Sequence, residues 1–206
     1  MFEEHYKAVL SGLKIDPAIQ DKCWKDIQSE YSNNNRYYHN LTHLDNLLAD
    51  LLPIKECIHS WPVVILSIAY HDMVYSTLKS NNEEKSAAYA LTCLTQLGVN
   101  TSIREKCATQ ILATKGHAVS QDIDTNYFTD ADLAILGAPT EAYRYYATSI
   151  RKEYKFYPDF IYTPGRKKVI NHFLAMPRIF KTNHFYEKYE EAARKNLEDE
   201  LERLVV

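Results

Sequence analysis

Apolar residues recur in this chain at steps of three and four almost from end to end, and nowhere do they alternate. In LTHLDNLLADLLPI, Leu41, Leu44, Leu47, Leu48, Leu51 and Leu52 form one stripe, the spacing of an amphipathic helix. Pro53 ends or kinks it. WPVVILSIAYHDMVY is apolar on most sides, as a central helix is, and Pro62 falls in its first turn, where proline is tolerated. SNNEEKSAAYA reads as a helix start with Ser80 or Asn81 as cap, and that helix stops near Gly98. TSIREKCATQILATKGH is the next, with Thr101 or Ser102 as cap and Gly116 near its stop. TEAYRYYATSIRKEYKFY begins at Thr140 and halts before Pro158. TPGRKKVINHFLAMP and HFYEKYEEAARKNLEDELERL complete the set. Five glycines and seven prolines in 206 residues leave long regular elements and few tight turns. The expectation is an all-α bundle of roughly eight or nine helices in a single domain over residues 1–206, with its C-terminal helix packed on the core.

Charge and cysteine usage narrow the partners. A net charge of −3 gives no footprint for a nucleic-acid polymer or an anionic membrane, which would need a clustered basic excess. The run GRKK, Gly165 to Lys168, is a solvated helix start. Cys23, Cys57, Cys93 and Cys107 contain no CxxC pair, so a zinc knuckle is unsupported. The N-terminus MFEEHYKAVL has acids where a signal peptide has basic residues. WPVVILSIAY is about half the length that spans a bilayer. These readings point to a reduced, cytoplasmic protein that acts as a monomer or homodimer. Sixteen tyrosines are many for this length; each combines a large ring with a polar tip, which suits polar cavities as well as core edges.

Three fragments carry ionisable groups at the edge of apolar runs. RYYHNLTHL places His39 and His43 four residues apart, a spacing that puts both on one face of a helix. AYHDMVY closes the most apolar segment with His71 and Asp72. FTDADLAIL sets Asp130 and Asp132 before another apolar stretch. Buried imidazoles and carboxylates are costly unless paired or coordinated, and both are standard ligands for divalent metals.

The order histidine, His-Asp, aspartate resembles the HD superfamily of metal-dependent phosphohydrolases. The closer likeness is to its small bacterial group, whose motifs resemble RYYHNLTHL, HDMVY, NNEEKSA, DADLAILG and IRKEY in this order, over about residues 30 to 200, the core motifs lying within about 30–170. The resemblance implies an HD-type helical fold with metal ligands His43, His71, Asp72 and Asp132, Asp130 remaining an alternative to Asp132. YHNLTH is also similar to the YHNxxH segment of cyclic-nucleotide phosphodiesterases. That likeness makes His43 the ligand and His39 the proton donor to the leaving oxygen, a task that suits a group titrating near neutrality. Glu83 would orient the attacking water beside Asp72. Arg36, Lys115, His117, Arg151 and Tyr75 would hold the phosphorylated substrate, with Tyr37, Tyr146 and Tyr154 as further pocket candidates; an Arg151–Glu153 structural pair is the alternative for Arg151. The chain reads HDMVYS, without the HDxxE continuation of some nucleotidase and alarmone-hydrolase branches.

The activity implied is hydrolysis of a small phosphorylated molecule, a nucleotide above others, with Mn, Fe, Zn, Ni, Co or Mg as the ion. Two other readings stand beside it. One is an HD-fold di-iron oxygenase, which would need His117 and His39 as extra ligands. The other is a regulatory module that binds metal or nucleotide without turnover.

Overall fold

The structure is a computed structural model and describes residues 1–204. Among them there is no strand, and ten α-helices are present: α1 Phe2–Gly12, α2 Pro17–Tyr31, α3 Leu41–Leu51, α4 Trp61–Tyr70, α5 Asn82–Gln96, α6 Thr101–Ala113, α7 Ile123–Leu133, α8 Thr140–Glu153, α9 Asp159–Leu174 and α10 Asn183–Arg203. The all-helical expectation holds at that level. The count exceeds eight or nine because α1 and α2 occupy the N-terminal stretch, ahead of the Leu41 stripe. Two short 3-10 turns, Leu52–Cys57 and Ala134–Gly137, follow α3 and α7. The first begins where Pro53 cannot continue an α-helix.

The chain divides into two compact units, Met1–Thr129 and Asp130–Val206. The division falls inside α7, which continues unbroken to Leu133. In the first unit α4 is the axis. Every residue from Val63 to Tyr70 is buried, as expected of a helix apolar all round, and α1, α3, α5 and α6 pack against it. Its entry is held by Asp124, whose carboxylate accepts from the backbone N–H of His59 at 2.8 Å and of Ser60 at 2.7 Å. Within this apolar packing Ser67 Oγ donates to Gln110 on α6 at 2.8 Å, and the Tyr6 and Tyr70 hydroxyls meet at 2.7 Å.

In the second unit α10 packs on the Ala134–Gly137 turn and on α9. Gly137 lies so close that a Cβ there would sit 2.6 Å from the Cβ and carbonyl oxygen of Tyr189, so only glycine fits. Asn196 donates to the carbonyls of Leu136 at 2.9 Å and Ala138 at 2.8 Å. Glu200, also on α10, accepts both arms of the Arg166 guanidinium at 2.7 and 2.9 Å and the Tyr143 hydroxyl at 2.5 Å. One carboxylate thus joins α8, α9 and α10.

No helix among the described residues is long and apolar enough to cross a membrane.

Candidate metal centre

The site is built where two helix termini meet. α3 opens with Asn40 as its cap, the side chain accepting from Thr42 N–H at 2.9 Å. His43 therefore sits in the first turn and is buried. His39 lies before the cap and not on the helix, which corrects the one-face geometry expected from the four-residue spacing. Its ring nevertheless stays near, with centroids 5.8 Å from His43. α4 ends at Tyr70, and His71 is its C-cap, 2% exposed. The backbone then leaves the helix, which turns Asp72 toward the same side.

His43 Nε2 and His71 Nε2 are 3.1 Å apart. His71 Nδ1 lies 3.0 Å from the carbonyl oxygen of Ile68. A carbonyl only accepts, so Nδ1 carries a proton and Nε2 is the nitrogen turned toward His43. This is the orientation that metal-ligating histidines take, one nitrogen donating to a carbonyl and the other free to coordinate. A carboxylate oxygen of Asp132, on the last turn of α7, completes the group: the ligand atoms of His43, His71 and Asp132 all lie within 4.8 Å of one another. Two imidazoles and a carboxylate fit a divalent first-row ion.

Asp72 adjoins this cluster. Its Oδ2 is 3.2 Å from His71 Nε2 and 4.0 Å from His39 Nε2. Burial raises its pKa, but the charges of His71 and His39, the His71 hydrogen bond and the charge of His43 outweigh it, and the carboxyl is held well below the usual carboxylate range. Asp130, the alternative ligand, is engaged elsewhere. It accepts from Lys181 N–H at 2.9 Å and from the N–H and hydroxyl of Thr182, both at 2.8 Å, and the Lys181 ammonium is 3.3 Å away.

The other sequence candidates fall in several places. Arg36 holds backbone: its guanidinium donates to the carbonyls of Asp72 at 2.6 Å, Met73 at 3.3 Å and His39 at 3.4 Å. It fastens the His-Asp turn to the segment before α3. Tyr75 stacks on His39, centroids 4.3 Å apart. Glu83 is half-buried in the first turn of α5. Lys115 pairs with Glu84 and donates to the Ser80 carbonyl at 3.2 Å. His117 takes a left-handed backbone, φ 50°, beyond the end of α6 and is not a member of the three-residue cluster. Arg151 is bound within the second unit, to Asp159 and to the carbonyls of Tyr154 and Tyr157.

Two contributors escaped the sequence reading. Tyr31 accepts from Asp72 N–H at 3.1 Å and lies under the Arg36 guanidinium. Tyr38 packs its ring 4.9 Å from that of His43. The doublet YY before His39 was the available signal for Tyr38; nothing in the local pattern distinguishes Tyr31 from other core tyrosines. Comparison with protein-family models, with curated proteins and with solved structures finds no match to this chain.

Proposed function

We propose that the chain is a divalent-metal-dependent phosphohydrolase of the HD type, acting on a small phosphorylated molecule such as a nucleotide. The observation that carries this reading is the convergence of His43, His71 and Asp132 within 4.8 Å. These are three of the four ligands that the motif order implies, and Asp72, the fourth, stands 3.2 Å from His71 Nε2. The reading is supported further by the orientation of the His71 ring, set by the Ile68 carbonyl.

In this proposal His43, His71, Asp72 and Asp132 hold the ion. When bound, it would acidify a water molecule and polarise a phosphoryl oxygen. His39 stands at the edge of the group with its side chain 20% exposed, so it can reach solvent and substrate and return a proton to the leaving oxygen. The Tyr75 ring and Asp72 restrain it. Arg36 keeps the His-Asp turn in register through its three carbonyl contacts. That makes it a positioning residue in this account rather than a phosphate binder.

The test is elemental analysis of the purified protein beside His43→Ala and Asp72→Ala, followed by a panel of phosphomonoesters and phosphodiesters with the ion identified. About one or two transition-metal ions per chain in the wild type, lost in both variants, is expected for a His/Asp site. Metal-dependent hydrolysis abolished by Asp72→Ala is the second expected result. No metal after incubation with Mn, Fe, Zn, Ni or Co would sink the reading. Metal bound without turnover across the panel would favour a binding module.

A further inference from the structure

The first unit brings together two thiols that lie far apart in the sequence. Cys23 is on α2 and Cys93 on α5, and their side chains hydrogen-bond to one another. The contact ends a polar chain laid through apolar packing. The Tyr6 hydroxyl on α1 meets the Tyr70 hydroxyl on α4 at 2.7 Å, and the Tyr70 hydroxyl lies 3.4 Å from Cys93 Sγ.

The two thiols are not equivalent. Cys93 is half-buried and Cys23 buried. At Cys93 the hydrogen bond with Cys23 lowers the pKa, burial opposes that, and the Tyr70 hydroxyl adds to the lowering. At Cys23 the Cys93 partner and then burial both raise it. The thiolate is the nucleophile, so Cys93 is the reactive member. A reactive, partly accessible thiol beside a second thiol is the arrangement that oxidants convert to a disulfide. The other two cysteines lack it. Cys57 is exposed at the end of the turn after α3, and Cys107 is buried, which pushes its thiol up to about 12.

Position gives the pair a consequence. About two helical turns beyond Cys23 on α2, the Tyr31 hydroxyl accepts from Asp72 N–H at 3.1 Å. About two turns before Cys93 on α5, the Ser86 hydroxyl accepts from Val74 N–H at 3.0 Å and donates to the Val74 carbonyl at 3.2 Å. Residues two turns apart share a helix face. α2 and α5 thus brace the turn after α4 through side chains on the faces that also carry the two sulfurs.

We propose that Cys23 and Cys93 form a peroxide-sensitive pair whose disulfide locks α2 to α5 around the turn that carries Asp72. The Cys93 thiolate attacks one oxygen of hydrogen peroxide, the O–O bond breaks, and hydroxide leaves and takes up a proton to become water. Cys93 is then a sulfenic acid. The Cys23 sulfur attacks the Cys93 sulfur, the S–O bond breaks, and a second water leaves with the Cys23 proton. Two thiols and one peroxide become one disulfide and two waters, and a dithiol reductant reverses the change. The bond forms whether or not the neighbouring cluster holds an ion.

The test is titration of the reduced full-length protein with hydrogen peroxide, followed by intact-mass measurement and peptide mapping without reductant. The expected product has lost two hydrogen atoms per chain, carries a Cys23–Cys93 cross-link, keeps Cys107 as a thiol and is restored by dithiothreitol. In Cys23→Ser, dimedone should trap a sulfenic acid at Cys93; in Cys93→Ser, Cys23 should remain a thiol. Hydrogen exchange at the Asp72 and Val74 amides should slow by about tenfold in the oxidised wild type, as expected where local opening is restrained. The mapping and the exchange need no variant, so a variant that fails to fold leaves both readouts intact. Three results would overturn the proposal: peroxide that leaves Cys23 and Cys93 unlinked in the wild type, cross-links between chains through Cys57 in place of the internal bond, or a disulfide that forms with exchange at Asp72 and Val74 unchanged.

Discussion

His71 uses both of its ring nitrogens, and they do different things. Nδ1 is fixed by the Ile68 carbonyl, so the chemistry is left to Nε2, which faces His43 at 3.1 Å and Asp72 at 3.2 Å. His39 is unlike these two: it precedes the helix cap, stacks on Tyr75 and keeps some exposure. The roles should separate on substitution. His39→Ala is expected to retain its metal and lose about 10²- to 10⁴-fold in turnover, the span of a general acid, measured as metal content and kcat on the same preparation. Loss of metal together with turnover would instead make His39 a ligand. A similar division applies to Asp130 and Asp132. Two residues apart on α7, they point about 200° from each other, so one reaches the cluster and the other the segment before α10. The sequence left both open because each precedes an apolar stretch, and only the helical phase distinguishes them. Asp130 is fully buried and receives two backbone N–H groups, a hydroxyl and the Lys181 ammonium. Burial lowers the Lys181 pKa, and Asp130 opposes that shift. Asp130→Ala strands a buried cation and is expected to cost about 3–5 kcal/mol of stability, read from chemical denaturation. A loss within experimental error would mean that the pair contributes nothing net.

α3, with its leucine stripe, and α4, apolar nearly all round, are the helices most legible in the sequence. Their ends were harder to read. The α6 cap is Asn100, whose side chain accepts from Ser102 N–H at 2.8 Å, and not Thr101 or Ser102; three adjacent capping residue types compete there, and backbone direction decides. α9 begins at Asp159, before Thr163, and carries Pro164 inside it, where proline removes one backbone hydrogen bond; in the sequence that proline reads as a boundary. Nor could the sequence show which side of α9 is buried. Its arginine turns inward for Glu200, a residue 34 positions away on α10. That carboxylate also gives a pH prediction. Burial alone would raise the Glu200 pKa, but the Arg166 hydrogen bonds and charge and the Tyr143 hydroxyl outweigh it and lower it. A depressed folded-state pKa contributes stability that is complete above the unfolded-state value of about 4 and is lost as pH falls through the lower folded value. Wild-type melting temperature should therefore fall on acidification more steeply than that of Glu200→Gln, which lacks the titration. Parallel acid limbs in the two proteins would show that the pair is not coupled to folding.

At the scale of the molecule, helical class was legible because no segment alternates. The division into two units was not, since it falls inside α7, where no glycine, proline or polar linker marks it. The ligand set was legible as an order of motifs, and the close of the apolar segment at His71 and Asp72 marked the end of α4; the sequence contains no sign that Arg36 fastens the turn behind it. What remains is whether the cluster matters to the chain as a whole. An ion that binds the folded state and not the unfolded one stabilises by mass action, about 2.7 kcal/mol at a free concentration 100 times Kd. Melting of the chelator-treated protein should thus rise with added Mn, Zn or Ni in a concentration-dependent way, and the rise should vanish in His71→Ala and in Asp132→Ala. Each variant removes one donor from a group whose ligand atoms lie within 4.8 Å, so each should act alike despite sitting on different helices. Asp130→Asn provides the contrast, because its carboxylate is spent on the backbone before α10: it should melt lower without ion, yet keep the ion-dependent increment. A rise that persisted in Asp132→Ala would mean that the ion acts elsewhere on the chain, and the ligand assignment would fall with it.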